Sequence, residues 1–340
     1  MDSLTHIVLG AAIGDRILGK SIGRKAAFFG ALAKTVPDFD LFISGLTDTR
    51  KYILYHRSYT HSFFVEGLMI FPMAWLCHYF FKEKTTLRQW VFLWAACLIG
   101  HSVVDMFTNY GTRLFLPFSS NLISLNNIAI ADLFLTLPIT VLVSWGLLKA
   151  NDSNARRRLM VATLVYAVIY FDWTFVNKAI AHHHFNRSLQ AQHIRIDQSM
   201  SNPTLLNNFL WYSVVNSDKT VYTATYSIFQ GDDSIRWKSF PMNKPLQKEV
   251  PSPDRATLQW FSQGFYFCEK KADTLYYYLP KFGPQHLDAN TADSIYMFRY
   301  CLYHNGKTWQ MEMKKPEDMP MRPAESLRQM IRHIMAKPTN

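Results

Sequence analysis

Acidic side chains and cysteine are scarce in this chain of 340 residues, and each scarcity excludes something. Four cysteines are too few for a disulfide-stapled scaffold or a cysteine-rich metal module. Two of them, Cys77 and Cys97, lie in apolar runs, where a thiol is a small apolar group; Cys268 and Cys301 lie where a disulfide is conceivable. Asp and Glu number 25 against 36 Lys and Arg, for a formal charge of +11. There is no internal repeat and no low-complexity tract, which argues against a solenoid or a disordered chain. The first apolar stretch, Leu4–Leu18, has neither a basic leader nor a small-residue cleavage site, so it reads as a retained segment and not a signal peptide.

What is abundant is hydrophobic sequence, and it is concentrated before residue 185. Phe63–Phe81, Trp90–Phe107, Ile128–Leu148 and Leu159–Val176 each run 18 to 21 residues with few charges. A hydrocarbon core about 30 Å thick needs roughly 20 helical residues, which predicts four transmembrane helices. Leu4–Leu18 and Ala26–Val36, joined by a turn over 19–25, predict a helical hairpin ahead of them, short-spanning or re-entrant. Basic residues segregate: Arg16, Lys20, Arg24, Lys25, Lys82, Lys84, Arg88, Lys149, Arg156, Arg157 and Arg158 fall in loops of one side, and only Arg50, Lys51, Arg57 and Arg113 in those of the other. The first side is expected to be cytoplasmic. Much of the +11 is thereby a topology signal, and no nucleic-acid partner is expected.

Beyond residue 200 the hydrophobic period changes to two. In VYTATYSIF (221–229), Tyr222, Ala224, Tyr226 and Ile228 alternate with Thr223, Thr225 and Ser227, as in a half-buried strand. QWFSQGFYFC (259–268), TLYYYLP (274–280) and SIYMFRYCLY (294–303) are further strand candidates, and Leu327, Met330, Ile331, Ile334 and Met335 keep helical spacing. The expected architecture is a membrane helical bundle, the hairpin plus four spans, over residues 1–188. A small antiparallel β domain with a C-terminal helix follows over 189–340, extracytoplasmic by the parity of the spans.

With this topology, ionisable residues gather at one depth. Glu66, His101, Asp105, Asp132 and Asp172 fall in the outer halves or ends of the spans; His6, PDFD (37–40) and HRSYTHS (56–62) lie on the same side, and only His78 departs. An intramembrane acid is costly and points to function. Several at one depth suggest a shared divalent cation, which neutralises carboxylates and accepts neutral imidazoles together. HSVVD puts His101 and Asp105 one helical turn apart, suited either to one metal or to a structural hydrogen bond. Pro37 predicts that Asp38 and Asp40 sit in irregular chain. His56 and His61, five apart, cannot share a helix face, so His56 is placed in the loop and His61 near the start of a helix capped by Thr60 or Ser62.

SLTHIVLGAAIGD, PDFD, HRSYTHS, GHSVVDMFTNYGTRLFLPFS (100–119) and AIADLFLTLP, in this order over residues 1–150, resemble the YdjM-like family of bacterial inner-membrane-bound, metal-dependent hydrolases. That family is similar, at greater distance, to the zinc-dependent phospholipase C and P1 nuclease group. The resemblance implies a multi-pass protein of the bacterial inner membrane. It implies His101 and Asp105 on one metal with a histidine of HRSYTHS, His61 first, an acid of PDFD as ligand or base, and His6 as the histidine near the N-terminus. A second His-x-x-x-Glu is missing, so one or two ions, zinc for choice, are expected and not three.

The functional expectation is a membrane-bound metal-dependent hydrolase acting on a phosphoester or lipid-linked substrate. The metal ligands would come from His6, Asp38, His56, His61, His101 and Asp105. Asp40 would be the proton acceptor from a metal-activated water. Arg57 would either clamp a phosphate or snorkel to head groups, with Asn109, Tyr110 and Arg113 at the same level. A metal or proton transporter, or a structural metal site in a non-catalytic envelope protein, are the alternatives; a histidine-nucleophile lipid phosphatase lacks its Ser-Gly-His and basic signatures here.

Overall fold

The computed structural model of the chain describes residues 1–44, 46–151, 153–231, 234–284, 287, 296, 298–314 and 323–335. The chain divides into two compact units, one of Met1–Thr47 with Tyr55–Thr174 and one of Asp48–Leu54 with Phe175–Asn340.

The first unit opens on the hairpin. Helix α1 (Ser3–Ile22) starts where the Asp2 carboxylate accepts the Thr5 N–H at 2.9 Å, and α2 (Arg24–Thr35) returns after one residue, Gly23, whose φ is +61°. The expected seven-residue turn contracts to this single glycine because only it reverses the chain without a Cβ in the way. The helices touch backbone to backbone: a Cβ on Gly14 would sit 2.2 Å from the Ala26 carbonyl oxygen, and one on Gly30 would sit 2.1 Å from that of Gly10. Small residues four apart permit this approach, which is common where helices associate in lipid.

A 3₁₀ turn over Val36–Phe39, carrying Pro37, and the short helix α3 (Asp40–Ser44) follow. Helix α4 (Thr49–Tyr55) belongs mainly to the second unit. Four apolar helices follow, α5 (Phe63–Phe81), α6 (Leu87–Met106), α7 (Leu133–Leu148) and α8 (Asn154–Ala191). Three of them, α5, α6 and α8, are long and apolar enough to cross a membrane; α7, at 16 residues, is shorter than the expected Ile128–Leu148. Asp132 sets that start by accepting the N–H groups of Phe134 and Leu135, while Asn127 and Ile128 turn back to the Phe107 carbonyl. Neither Thr60 nor Ser62 caps α5, since the Thr60 hydroxyl donates to Asp40 and that of Ser62 to the Leu116 carbonyl. Trp90, Leu93, Cys97 and Leu98 of α6 are buried in the bundle, whereas Leu68, Phe71 and Trp75 of α5 are exposed as on a lipid-facing surface.

The second unit holds two four-stranded antiparallel sheets, β1 (Gln198–Pro203) to β4 (Lys238–Pro241) and β5 (Phe267–Lys271) to β8 (Trp309–Lys314), each in sequence order. Strands β2 (Leu210–Ser217), β3 (Thr220–Ser227), β6 (Thr274–Tyr278) and β7 (Arg299–His304) complete them. Between the sheets come α9 (Lys244–Glu249) and α10 (Ser252–Ser262), and α11 (Pro323–Met335) ends the described chain. The 221–229 strand is present, but Val221 and Thr223 are buried along with Ala224 and Tyr226, so both its faces are covered. The strand expected over 259–268 is helical up to Ser262, following Pro253 near the α10 N-terminus, and extended only from Phe267. Cys268 and Cys301 are not joined to each other: they lie on β5 and β7 with β6 between them. Two strand spacings, about 10 Å, exceed what a disulfide spans.

One cation of this unit is wholly inside. The Lys281 Nζ donates to the Phe261 carbonyl at 2.5 Å and lies 4.6 Å and 4.9 Å from the ring centroids of Phe261 and Phe282. Burial pushes its amine down to about 7. The unfolded chain keeps that proton until about pH 10.4, so it binds more protons than the folded chain across the window between, and stability gains from this site as pH rises through it. From pH 7 to 9, thermal unfolding of the detergent-solubilised chain is expected to show a rise in stability that Lys281→Met removes.

Candidate metal centre

The site is assembled from four pieces of the first unit: the 3₁₀ turn after the hairpin, the HRSYTHS loop, and helices α1 and α6. The loop is pinned on both sides. Arg113 N–H donates to the Arg57 carbonyl at 3.2 Å, Phe63 N–H to Leu114 O at 3.0 Å, and the Ser62 hydroxyl to Leu116 O at 2.5 Å. Arg57 sits at φ +53°, a left-handed conformation that a side-chain-bearing residue adopts only where its surroundings enforce it. This loop carries His61 inward to meet His101.

Asp38, His61, His101 and Asp105, all buried, present one donor atom each within 4.8 Å of one another. The His61 and His101 Nε2 atoms are 3.1 Å apart. Asp38 Oδ1 lies 3.6 Å from the first and 3.4 Å from the second, and Asp105 Oδ2 lies 3.4 Å and 3.5 Å from them. Tetrahedral ligands at 2.0–2.1 Å from a shared ion are separated by about 3.3–3.4 Å. Five of the six edges, between 3.1 and 3.6 Å, scatter around that value.

Tautomers make the case stronger. His101 Nδ1 is 2.6 Å from the Lys34 carbonyl, which can only accept, so the ring proton is on Nδ1. The Thr60 hydroxyl donates to Asp40 Oδ2 at 3.0 Å, so its oxygen accepts from His61 Nδ1, also at 3.0 Å. With both Nδ1 positions occupied in this way, the two Nε2 atoms face each other at 3.1 Å, an arrangement that either a shared proton or a cation between them satisfies. Asp105 Oδ2, buried beside them, has no aligned hydrogen bond. Two nitrogens and two carboxylate oxygens with carbonyl and carboxylate partners behind the imidazoles suit a divalent ion.

The remaining predicted residues surround this set. His6 is outside it, stacked on His101 at 3.8 Å between centroids, with Nε2 3.1 Å from Asp105 Oδ1, which the Met1 amine also meets. His56 is likewise outside, its Nδ1 3.1 Å from Asp40 Oδ1; burial pushes its imidazole below the ordinary value. Asp40 accepts from His56, from Arg57 N–H at 2.8 Å and from Thr60. Burial opposes the charge of Asp38 and Asp40, yet the imidazoles of His101 and His61 hold Asp38 well below the usual carboxylate range, and His56 and His61 hold Asp40 below it. Asp40 is thereby engaged by an imidazole, a backbone N–H and a hydroxyl at once. Arg57 neither snorkels nor faces outward: its Nε is 3.0 Å from Asp105 Oδ2, its Nη1 donates to Thr108 at 2.8 Å, and it lies over Tyr110. Asp132 is spent on the α7 cap and on Tyr170, Glu66 accepts the Ser102 hydroxyl at 2.6 Å, and Asp172 is exposed. Lys34, buried in α2 with its carbonyl on His101, carried no sequence signal, because a backbone acceptor leaves none.

A family model described as YdjM inner membrane protein matches residues 1–181. The chain belongs to the YdjM family. Asp38, His61, His101 and Asp105 fall inside the YdjM match, and the two sheets fall outside it. The chain is also similar to the uncharacterized protein YfhP of Bacillus subtilis (strain 168), 30% identical over 142 residues, which is 40% of this chain and 43% of that relative. The chain thus covers less than half of YfhP. No solved structure matches significantly.

Loss of an outer-sphere partner typically weakens metal binding by 10- to 100-fold. Asp40→Asn is expected to fall in that range when zinc affinity is measured by chelator competition, because it loosens both Thr60 and His61.

Proposed function

We propose that this YdjM-family membrane protein is a metal-dependent hydrolase acting on a phosphoester or lipid-linked group at the extracytoplasmic face, with zinc as the first candidate ion. The observation that carries the reading is a four-donor set with a histidine–carboxylate pair, His56 and Asp40, at its rim. The basic residues of the turn at Gly23 and of the α5–α6 and α7–α8 loops support the orientation.

Asp38, His61, His101 and Asp105 would hold the divalent ion, which would supply Lewis acidity and make water more acidic there. The chain's own groups do the rest. Asp40 and Lys34 O fix the two rings in the tautomer whose Nε2 faces the site. Arg57 balances Asp105, so that a low-dielectric pocket does not hold uncompensated negative charge. His56, partly exposed and backed by Asp40, is the group assigned to take a proton, in place of Asp40 itself.

One observation favours a second reading. A set of four protein donors, with His61, His101 and Asp105 fully buried, is what a structural ion has, whereas a catalytic ion keeps a position open. Assay of the zinc- or manganese-loaded full chain against chromogenic phosphodiesters and phospholipids separates the two. Hydrolysis is expected, and His56→Gln should lower turnover by about 10²-fold or more while metal content stays unchanged. A loaded protein that is inert throughout, yet loses its fold when the metal is stripped, would establish the structural reading instead.

A further inference from the structure

At the opposite end of the bundle from the metal centre, the basic loops form something more specific than a topology signal. Helices α1 and α8 are joined there by a buried ion pair: Arg156 donates from Nε to Asp15 Oδ1 at 2.9 Å and from Nη2 to the same oxygen, and from Nη1 to Asn151 Oδ1 at 2.7 Å. Beside this clamp, the two helices wall an open groove of about 530 Å³, lined by Arg16, Asn154, Arg157, Arg158, Val161, Ala162 and Val165.

The arginine run 156–158 is therefore divided. Arg156 is 1% exposed and neutralised by Asp15, whereas Arg157 and Arg158 face the groove with Arg16. Among the described residues, none of these three guanidinium groups meets a carboxylate. Among the described residues the groove is lined by no acid, with three positive charges at one end and a valine-alanine wall below. Val161 and Val165 are 40% and 50% exposed, and the apolar stripe continues along α8 through Val168 and Ile169 at 60% and 62%. By contrast, the neighbouring groove that holds Lys25 and Lys84 also holds Glu83.

We propose that this groove binds one anionic phospholipid of the cytoplasmic leaflet. Its phosphate would lie among Arg16, Arg157 and Arg158, and an acyl chain would lie along Val161, Val165 and Ile169. Charge complementarity selects the head group, since guanidinium forks match phosphate oxygens, and the exposed apolar wall selects a lipid over a free anion. The inference is independent of the metal centre and of hydrolysis.

Native mass spectrometry of the full chain in detergent tests it, with phosphatidylglycerol, phosphatidylcholine and inorganic phosphate as probes. One phosphatidylglycerol per chain should bind at least tenfold more tightly than phosphatidylcholine, and millimolar inorganic phosphate should not displace it. Arg16→Gln and Arg157→Gln should each weaken binding about fivefold, while Lys84→Gln, in the other groove, should leave it unchanged. Equal affinity of the wild-type chain for the two lipids overturns the proposal whatever the variants do. Displacement by phosphate alone, or arginine variants that fold and bind like wild type, overturns it equally.

Discussion

Two imidazole Nε2 atoms, buried 3.1 Å apart and flanked by two carboxylate oxygens, form the constraint around which the membrane unit is arranged. In a low-dielectric interior such a cluster needs a shared positive charge, a proton or a metal ion, and the neighbouring interactions keep it in place. The Lys34 carbonyl and Thr60 lock the tautomers, and Arg57 accepts a left-handed backbone to reach Asp105. Met1 and His6 close the other side of Asp105.

Bringing those groups together depends on the hairpin. With Gly10, Gly14 and Gly30 at the crossing, α1 and α2 approach until a methyl group has no room, and this approach sets His6 of α1 and the turn after α2 against the C-terminal end of α6. The Asp15–Arg156 pair ties α1 to α8 near the other end. The hairpin thus links a polar centre at one end to a basic groove at the other.

The membrane helices were legible because lipid demands long apolar runs, and α5 matches its sequence reading residue for residue. Their ends were less so: α7 starts five residues late because Asp132 caps it, and Asp132 was legible only as an acid at the right depth. Four of the candidate ligands, Asp38, His61, His101 and Asp105, converge as the shared-depth argument expected. The supporting parts of His56, Asp40 and Arg57 depend on loop geometry that spacing does not encode. In the second unit the period-two signal located β3 and β6 but not the helical start of 259–268, where a proline-led N-terminus outweighed aromatic alternation.

The central claim is that Asp38, His61, His101 and Asp105 hold one divalent ion. X-ray absorption at the metal edge, on full-length protein purified without added chelator and quantified by elemental analysis, tests it most directly. The account predicts about one equivalent of metal with two imidazole nitrogens and oxygen ligands near 2.0–2.1 Å, lost together in His61→Ala and in His101→Ala. Metal absent from wild type after reconstitution with zinc or manganese, or retained with the same spectrum in both variants, would contradict it.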